Sequence, residues 1–283
     1  MADIPKSILA RLHNESKRTG ELNNSILTRY VNYRFLYRLA QSDYRESFIL
    51  KGATMVPFWT GNLHRSTRDL DFLSLKDSNS SSVFNAVHGV LQIPCIEDGV
   101  VFDLTTMKVD EIRDRQEYGG IRIRVNAYIG SARIRLQLDI GFGDAYVHSP
   151  CEIIIPTVID NVPSATLMGY SIYTSVSEKL EAVLTLGTAN SRMKDFYDLQ
   201  HFWNHLELDQ EQIRAALVAT MRCRKSEMTV QQMIDRIRSI EQNDGIRSRW
   251  DVYRSKSVNG DHSSDFSEVV EAILKMVSLD KGG

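Results

Sequence analysis

Residues 121–144, IRIRVNAYIGSARIRLQLDIGFGD, decide the fold because apolar and polar side chains alternate on both sides of a Gly130-Ser131 turn. Successive side chains of a strand point to opposite faces, so the pattern predicts a β-hairpin with one buried face. The apolar set is Ile121, Ile123, Val125 and Ala127 on the first strand and Ile134, Leu136, Leu138 and Ile140 on the second. Asp139 is therefore expected on the polar face.

The chain before the hairpin mixes helical and strand patterns. Apolar residues at helical spacing predict helices at 4–18, 22–42 and 83–93, and a short helix at about 53–62. Strand patterns occur in SFILKGA (47–53), RDLDFLSL (68–75) and GVVFDLTTMKVDEI (99–112), with a loop or helix start at 76–82. This order of elements predicts an α+β protein.

The chain after the hairpin is predicted to be mostly helical. Helices are expected in 175–187, which ends on a glycine suited to a C-cap, and in 190–206, 209–221, 228–240 and 265–278. The polar stretch 255–265 predicts a flexible loop.

Composition limits the class of protein. A chain of 283 residues, 42% hydrophobic and 25% charged, is expected to fold as one large or two modest globular domains. The formal net charge of −2 creates no overall attraction for nucleic acid, so any such contact must come from local basic patches.

Cellular location is predicted from what the sequence lacks. Its three cysteines are far apart and include no CxxC pair, which argues against a disulfide framework or a structural zinc site. The polar first twenty residues do not match a signal peptide, and no run approaches the about 18 apolar residues of a membrane span. We therefore expect a cytoplasmic protein.

Asp69 and Asp71 alternate within an otherwise apolar strand pattern. Residues i and i+2 of a strand share a face, where two carboxylates repel each other unless a cation lies between them. Oxygen ligands suit Mg²⁺, so the pair is a candidate metal site. The alternative is a solvated strand end whose acids pair with Arg65 and Arg68. If the hairpin strand with Asp139 lies beside this strand, three acids converge, as phosphoryl-transfer chemistry requires.

The KGAT turn just upstream, residues 51–54, is a candidate phosphate site. Its backbone N–H groups and the Thr54 hydroxyl are groups that can donate hydrogen bonds to a triphosphate. The turn lacks the GxxxxGK[ST] pattern, so it is not a P-loop.

Four blocks in order give the chain a family resemblance: FILKGAT (48–54), HRSTRDLDFL (64–73), LQLDIGFGD (136–144) and SEKLEAVLTLGTANSRMKDFYDL (177–199). Over about residues 20–205 the chain resembles the AbiEii/AbiGii-type nucleotidyltransferase toxins. The resemblance implies a minimal nucleotidyltransferase fold, similar to the DNA polymerase beta superfamily, with a mixed sheet and a helical C-terminal part. The implied divisions are N-terminal helices at 1–45, a nucleotidyltransferase core at 46–165 and a helical domain at 166–283.

The resemblance also implies an activity. The expected enzyme is the toxin of a type IV toxin–antitoxin or abortive phage-infection system. It would use Mg²⁺, with room for two ions, to transfer NMP from NTP to an acceptor hydroxyl, the tRNA 3′ end. A winged-helix antitoxin encoded nearby is an implied partner. Two other functions stay open: transfer to a protein or small molecule, and a catalytically silent NTP-binding protein.

Site residues follow from the same resemblance. Its implied catalytic residues are Asp69, Asp71, Lys179, Asp195 and Asp139, with Asp69 and Asp71 as metal ligands. Its implied nucleotide-binding residues are Gly52, Ala53, Thr54, Arg65, Thr67 and Lys179. Ala53 stands where the family commonly has glycine or serine, so the Thr54 hydroxyl would have to replace the missing serine.

Ordinary structural roles compete with several of these assignments. Lys179 lies next to Glu178 and near Glu181, where a surface ion pair is an alternative. Asp195 and Asp198 fit a salt-bridge ladder on a helix surface. Two basic clusters are candidate RNA contacts or plain solvated faces: Arg122, Arg124, Arg133 and Arg135 on the hairpin, and Arg222, Arg224 and Lys225.

Overall fold

The computed structural model describes residues 3–61, 67–75, 80–112, 119–143, 148–255 and 265–278. The chain forms two compact units, which are described separately below. The first contains the chain up to Tyr170 apart from Trp59–Gly61 and the short segment before Pro150, and the second contains those segments and the chain from Ser171 onward. The finer division at residues 45 and 165 stays a prediction.

The chain up to Tyr170 contains helices and all the strands of the described residues. The helices are α1 (Ile4–Thr19), α2 (Asn23–Ala40), α3 (Val56–Thr60) and α4 (Ser80–Leu91). The strands are β1 (Phe48–Lys51), β2 (Leu70–Ser74), β3 (Val100–Ile112), β4 (Gly120–Ile129), β5 (Ala132–Phe142), β6 (Cys151–Ile155) and β7 (Ala165–Gly169). A 3₁₀ turn, Gly52–Met55, connects β1 to α3.

These strands form one mixed sheet in the order β3-β4-β5-β2-β1-β7-β6. β2 lies parallel to β5 and β1 parallel to β7, while the other neighbouring pairs are antiparallel. The mixed sheet with its helices confirms the predicted α+β class.

One face of the sheet carries the core of the first unit. The predicted hairpin is β4 and β5, and its apolar set is buried as the alternation requires. Helix α2 packs on β5 and β7, α1 on β4, and α4 on β3. A buried ion pair also ties α2 to the start of β3: Arg38 Nη1 lies 2.6 Å from Asp98 Oδ2, and Arg38 Nη2 donates to the Val100 carbonyl. The polar side chains of the hairpin therefore remain on the other face.

The second unit is helical in its described residues. Its helices are α5 (Ile172–Leu186), α6 (Met193–His205), α7 (Gln210–Cys223), α8 (Val230–Glu241), α9 (Asp244–Ser255) and α10 (Phe266–Val277). Ser171 caps the start of α5 by accepting a hydrogen bond from the Thr174 N–H, and a buried hydrogen bond of 2.9 Å joins Ser177 to Thr220 between α5 and α7. Phe196, Leu199 and Phe202 of α6 are buried and belong to the core of this unit.

Three elements were absent from the sequence prediction: β6, β7 and α9. β6 and β7 have only five residues each, too short for a clear period, and α9 is polar with only Ile246 and Trp250 buried. Most of the predicted loop at 255–265 lies outside the described residues. Within the described part of the chain, no helix is long and apolar enough to cross a membrane.

Candidate active site

The central strands bring Asp71 and Asp139 together. β2 pairs in parallel with β5, and Asp71 and Asp139 are directly paired across the two strands. This pairing puts the two side chains on the same face of the sheet, and Asp69 lies one residue before β2 begins at Leu70. The predicted convergence of the three acids required the strand with Asp139 to lie beside the strand with Asp71, and β5 and β2 are indeed neighbours in the sheet. We call Asp69, Asp71 and Asp139 the carboxylate cluster.

Arg122 is a cation that contacts this cluster through Asp139. It pairs with Asp139 across β4 and β5, donating from Nε to Oδ1 at 2.8 Å and from Nη2 to Oδ2 at 2.5 Å. The hydrogen bonds that Arg122 donates to Asp139 raise the pKa of Arg122. Burial opposes this rise, and the negative charges of Asp139, Asp69 and Asp71 add to it. All three carboxylates therefore act on one guanidinium.

Gly52 lies directly against Asp71. Its φ of +73° belongs to the left-handed region, and a Cβ built there would overlap the Asp71 carboxylate, with Cγ only 2.7 Å away. Lys51, the preceding residue, is paired with Asp71 across β1 and β2. The glycine turn predicted to hold phosphates is therefore next to Asp71, one of the two predicted metal ligands.

Thr54 is the residue expected to replace the missing serine. Its side chain is 3% exposed, and its hydroxyl has no hydrogen-bond partner within the described part of the chain. Buried hydroxyl groups normally have a hydrogen-bond partner, so the unpartnered Thr54 hydroxyl is a polar group in the turn that a bound ligand could satisfy. Thr67, also predicted to bind nucleotide, donates its hydroxyl to the Asp69 carbonyl at 3.3 Å. Arg65 lies outside the described residues.

Replacing Gly52 by alanine is expected to lower nucleotidyl transfer at least tenfold, because the new methyl group displaces the Asp71 carboxylate. The left-handed backbone alone costs about 1–2 kcal/mol of stability for a non-glycine residue. Gly20→Ala is the matched control, since Gly20 has a φ of +74° and nothing within 4 Å of its added Cβ. Transfer rates and denaturant unfolding of both variants test this. Equal rates in the two variants would show that Gly52 has no role beyond its backbone.

A second charged group, in the second unit, centres on Lys179. The Lys179 ammonium on α5 lies 2.8 Å from Asp195 Oδ1 and 2.9 Å from Asp198 Oδ2, both on α6. Burial by itself would lower the pKa of Lys179, but the charges of Asp198 and Asp195 outweigh it and raise the pKa. The lysine therefore stays charged at neutral pH, in contact with Asp195 as well as Asp198.

Two alternative assignments in this region are wrong. Asp198 is fully buried, with none of its side chain exposed, so it is not part of a surface ladder. Glu178 and Glu181 pair with Arg224, at 3.6 and 2.8 Å, instead of forming a surface pair with Lys179. Arg224 is thereby mostly buried and cannot offer its charge to RNA. The pairing of buried Asp198 with Lys179 was not predicted, because the burial of an aspartate depends on how its helix packs and not on a local pattern.

The hairpin arginines share the polar face but differ in their surroundings. Arg122, Arg124, Arg133 and Arg135 are at positions that the β4–β5 register places on one side. Arg122 pairs with Asp139, and Arg124 pairs with Asp110. Arg133 and Arg135 are exposed, and the described residues give neither of them an ion pair. These two are thus the better candidates for contact with an external anion.

A metal site was predicted at Asp69 and Asp71. Among the described residues, no group of three or more His, Cys, Asp or Glu side chains is arranged to hold a metal ion. The donor chemistry nevertheless fits a hard divalent cation, because the cluster supplies only carboxylate oxygens. The Arg122 guanidinium already pairs with Asp139 and supplies a positive charge there. A cation would be held by Asp69 and Asp71, with Asp139 available once Arg122 moves.

Comparison with known proteins defines the class. The family model for the nucleotidyl transferase AbiEii toxin of type IV toxin–antitoxin systems matches residues 34–272. Because this match covers most of the chain, the protein belongs to the AbiEii nucleotidyl transferase toxin family. It is therefore a nucleotidyltransferase, as the four sequence blocks predicted.

Two solved structures from Helicobacter pylori are also similar to the chain. One is a protein assigned as a nucleotidyltransferase and the other is JHP933; each is 18% identical, with a TM-score of 0.49, and covers 88% of this chain. The alignments cover 92% and 90% of those proteins, respectively. No curated protein matches the chain in sequence.

Proposed function

We propose that the protein transfers NMP from an NTP to the 3′ end of tRNA in a reaction that depends on Mg²⁺. One observation carries this proposal: the parallel pairing of β2 with β5, which sets Asp71 opposite Asp139 beside the Gly52 turn. Acidic side chains next to a turn rich in N–H donors suit a metal–triphosphate substrate. Membership of the nucleotidyl transferase family supports the reaction type.

The reaction is an in-line displacement at the α-phosphorus. The acceptor hydroxyl oxygen forms a bond to the α-phosphorus, and the bond from that phosphorus to the oxygen bridging to the β-phosphate breaks. Pyrophosphate leaves with the electron pair of the broken bond, and the hydroxyl proton passes to a carboxylate. Asp139 is our candidate for that proton acceptor in the first unit, once its oxygens are released from Arg122.

The first unit would bind the nucleotide. Asp69 and Asp71 would hold the cation, which neutralises charge on the triphosphate and on the leaving pyrophosphate. The backbone N–H groups of the 52–54 turn and the buried Thr54 hydroxyl would donate to phosphate oxygens. Arg65 and Thr67 are proposed as further phosphate contacts.

The second unit has its own proposed roles. Lys179 would contact the triphosphate, and Asp195 would help to activate the acceptor. In the structure, the lysine charge is shared with Asp195 and Asp198, so the group carries a net charge of −1. A phosphate contact would therefore require Lys179 to weaken at least one of these pairs. An effect of Lys179→Met on the KM for NTP, in addition to kcat, would support a direct contact.

The biological setting follows from the family. Type IV toxin–antitoxin membership implies an antitoxin partner, which we propose to be a winged-helix protein encoded nearby. Growth arrest would result from tRNA that can no longer be aminoacylated, and protection against phage infection would result from that arrest.

The direct test is an incubation of the purified protein with Mg²⁺, each α-labelled NTP and total tRNA. We expect label in tRNA with a preferred NTP, and no label after the divalent cations are chelated. Shortened tRNA that lacks its 3′ terminal nucleotides is the matched acceptor control, because it keeps the tRNA body and removes the proposed acceptor. Label on protein or a small molecule instead would redirect the proposal to that acceptor.

A negative result also discriminates between functions. NTP binding without any labelled product, on tRNA, protein or small-molecule acceptors, would favour a catalytically silent binding protein. Equal labelling of intact and shortened tRNA would contradict the 3′-end acceptor.

Arg133 and Arg135 give the acceptor a predicted binding face. Changing both to glutamine is expected to weaken tRNA binding and to lower the slope of log K against log salt by about two, because each arginine would neutralise one phosphate. NTP binding should stay unchanged. Lys6→Gln/Lys17→Gln, which removes two exposed cations from α1, is the control. Salt-dependent tRNA binding tests this, and an unchanged slope in the hairpin variant would exclude the face.

A further inference from the structure

Arg122 forms an ion pair with a residue of the candidate catalytic site. We propose that Arg122 is an internal counter-cation of the carboxylate cluster, which a divalent cation displaces when the site is loaded. This inference rests on the proposed function in that it assumes metal binding at Asp69 and Asp71. Arg122 would thus be a positioning residue that sets metal affinity and keeps the empty site closed to weakly binding cations.

The geometry makes the two cations competitors. Arg122 uses two donors, and they bind both oxygens of Asp139 at 2.8 and 2.5 Å. A metal that takes Asp139 as a ligand must displace at least one of these donors. Asp71 is the neighbour of Asp139 on β2, so a cation at Asp71 would lie next to the same guanidinium. Two positive groups in this position repel each other, and binding one favours release of the other.

The charges explain why the exchange is needed. The charges of Asp69, Asp71 and Asp139 all act on the Arg122 guanidinium, and like charges in one region repel each other unless a cation is present. Arg122 supplies one positive charge through a bidentate contact, the strongest geometry for an arginine and a carboxylate. A divalent cation supplies two, so it can replace the arginine with a better charge balance. The Arg122 side chain is 38% exposed, so solvent would hydrate the guanidinium once it leaves Asp139.

Arg124 provides a matched control on the same strand. It lies two residues along β4, on the same face, and it also pairs with an aspartate. Its partner, Asp110, is on β3, away from β2 in the strand order, so Arg124 does not touch Asp139. Arg122→Gln and Arg124→Gln therefore remove the same charge from neighbouring positions, and only the first removes it from the cluster.

The experiment measures Mn²⁺ binding by the loss of the free-ion EPR signal, without nucleotide. Arg122→Gln is expected to bind Mn²⁺ about tenfold more tightly than wild type, because the metal no longer competes with the arginine for the Asp139 carboxylate. Arg124→Gln should bind like wild type. Thermal unfolding in EDTA should show a lower Tm for Arg122→Gln than for Arg124→Gln, and added Mn²⁺ should narrow this gap.

Arg122→Lys keeps the charge but loses the two-donor fork, so it is expected to bind Mn²⁺ with an affinity between those of wild type and Arg122→Gln. Equal or weaker Mn²⁺ binding by folded Arg122→Gln overturns the proposal, and so does an equal gain in Arg124→Gln. If Arg122→Gln does not fold even in Mn²⁺, the rescue by metal fails and the proposal fails with it. Failure of the transfer reaction would appear separately, as unlabelled tRNA from a wild type that binds Mn²⁺.

Discussion

Asp71→Asn is expected to lower the rate of nucleotidyl transfer by about 10²–10³-fold, the range seen when one charge-stabilising group is removed from a transition state. The amide keeps the shape of the side chain against Gly52, so the turn should stay intact. What it loses is the negative charge that, in the proposed function, holds the cation beside the α-phosphate. The rate should be measured with saturating NTP and tRNA, and circular dichroism should confirm the fold.

Asp43→Asn is the control for that variant. It makes the same chemical change at an exposed position between α2 and β1, outside the cluster, and its rate should stay within about twofold of wild type, as surface changes usually do. If Asp71→Asn retained half of the wild-type rate, Asp71 could not be a metal ligand essential to transfer. Fully active Asp69→Asn would raise the same objection for its partner.

Asp198→Ala should destabilise the second unit by about 3–5 kcal/mol, because it leaves the Lys179 ammonium buried with one partner fewer. Asp198 is fully buried and Lys179 is only 14% exposed, so water cannot replace the lost carboxylate easily. Asp251→Ala, which breaks an exposed pair with Arg254 on α9, should change stability by at most about 0.5 kcal/mol. Urea unfolding measures both.

A double variant separates the charge from the packing. Lys179→Met/Asp198→Leu removes the ammonium together with its buried partner, and should be more stable than Asp198→Ala alone.

The stability of the second unit should depend on pH only at high pH, because the pKa of Lys179 is raised in the fold. The contribution of the charged lysine to stability is fully present below the unfolded pKa of about 10.4, and it declines only as pH rises through the folded pKa. The loss in Asp198→Ala should therefore be constant between pH 6 and pH 9. If the loss of stability in Asp198→Ala disappeared between pH 6 and pH 9, the assignment of a charged, buried Lys179 paired with Asp198 would be contradicted.

The sequence predicts local structure better than it predicts partners. The alternation in 121–144 defines β4 and β5 because burial on one face is a property of each strand by itself. The short strands β6 and β7 carry too few residues for such a period, and their neighbours in the sheet depend on distant parts of the chain. The order of the strands was therefore beyond what periodicity can show.

The candidate site shows the same contrast between local patterns, which the sequence reveals, and contacts between distant residues, which it does not. Asp69, Asp71 and Asp139 could be found as acids in strand patterns next to a glycine turn. The contact of Arg122 with Asp139 could not, because four arginines on the hairpin follow the same alternation. Only the register of β4 against β5 distinguishes Arg122 from the other three. Burial of Asp198 likewise depends on how α6 packs, which its charge alone would argue against.

The parallel pairing of β2 with β5 has a consequence for the toxin during its synthesis. The ribosome makes Asp71 long before Asp139, and the two become neighbours only after the intervening β3–β4–β5 meander has been completed and docked. A nascent or truncated chain that ends before β5 therefore lacks the pairing of Asp71 with Asp139 on which the proposed reaction centre depends, whatever its local structure. Under the proposed function, the toxin therefore becomes active only after this late, long-range pairing has formed.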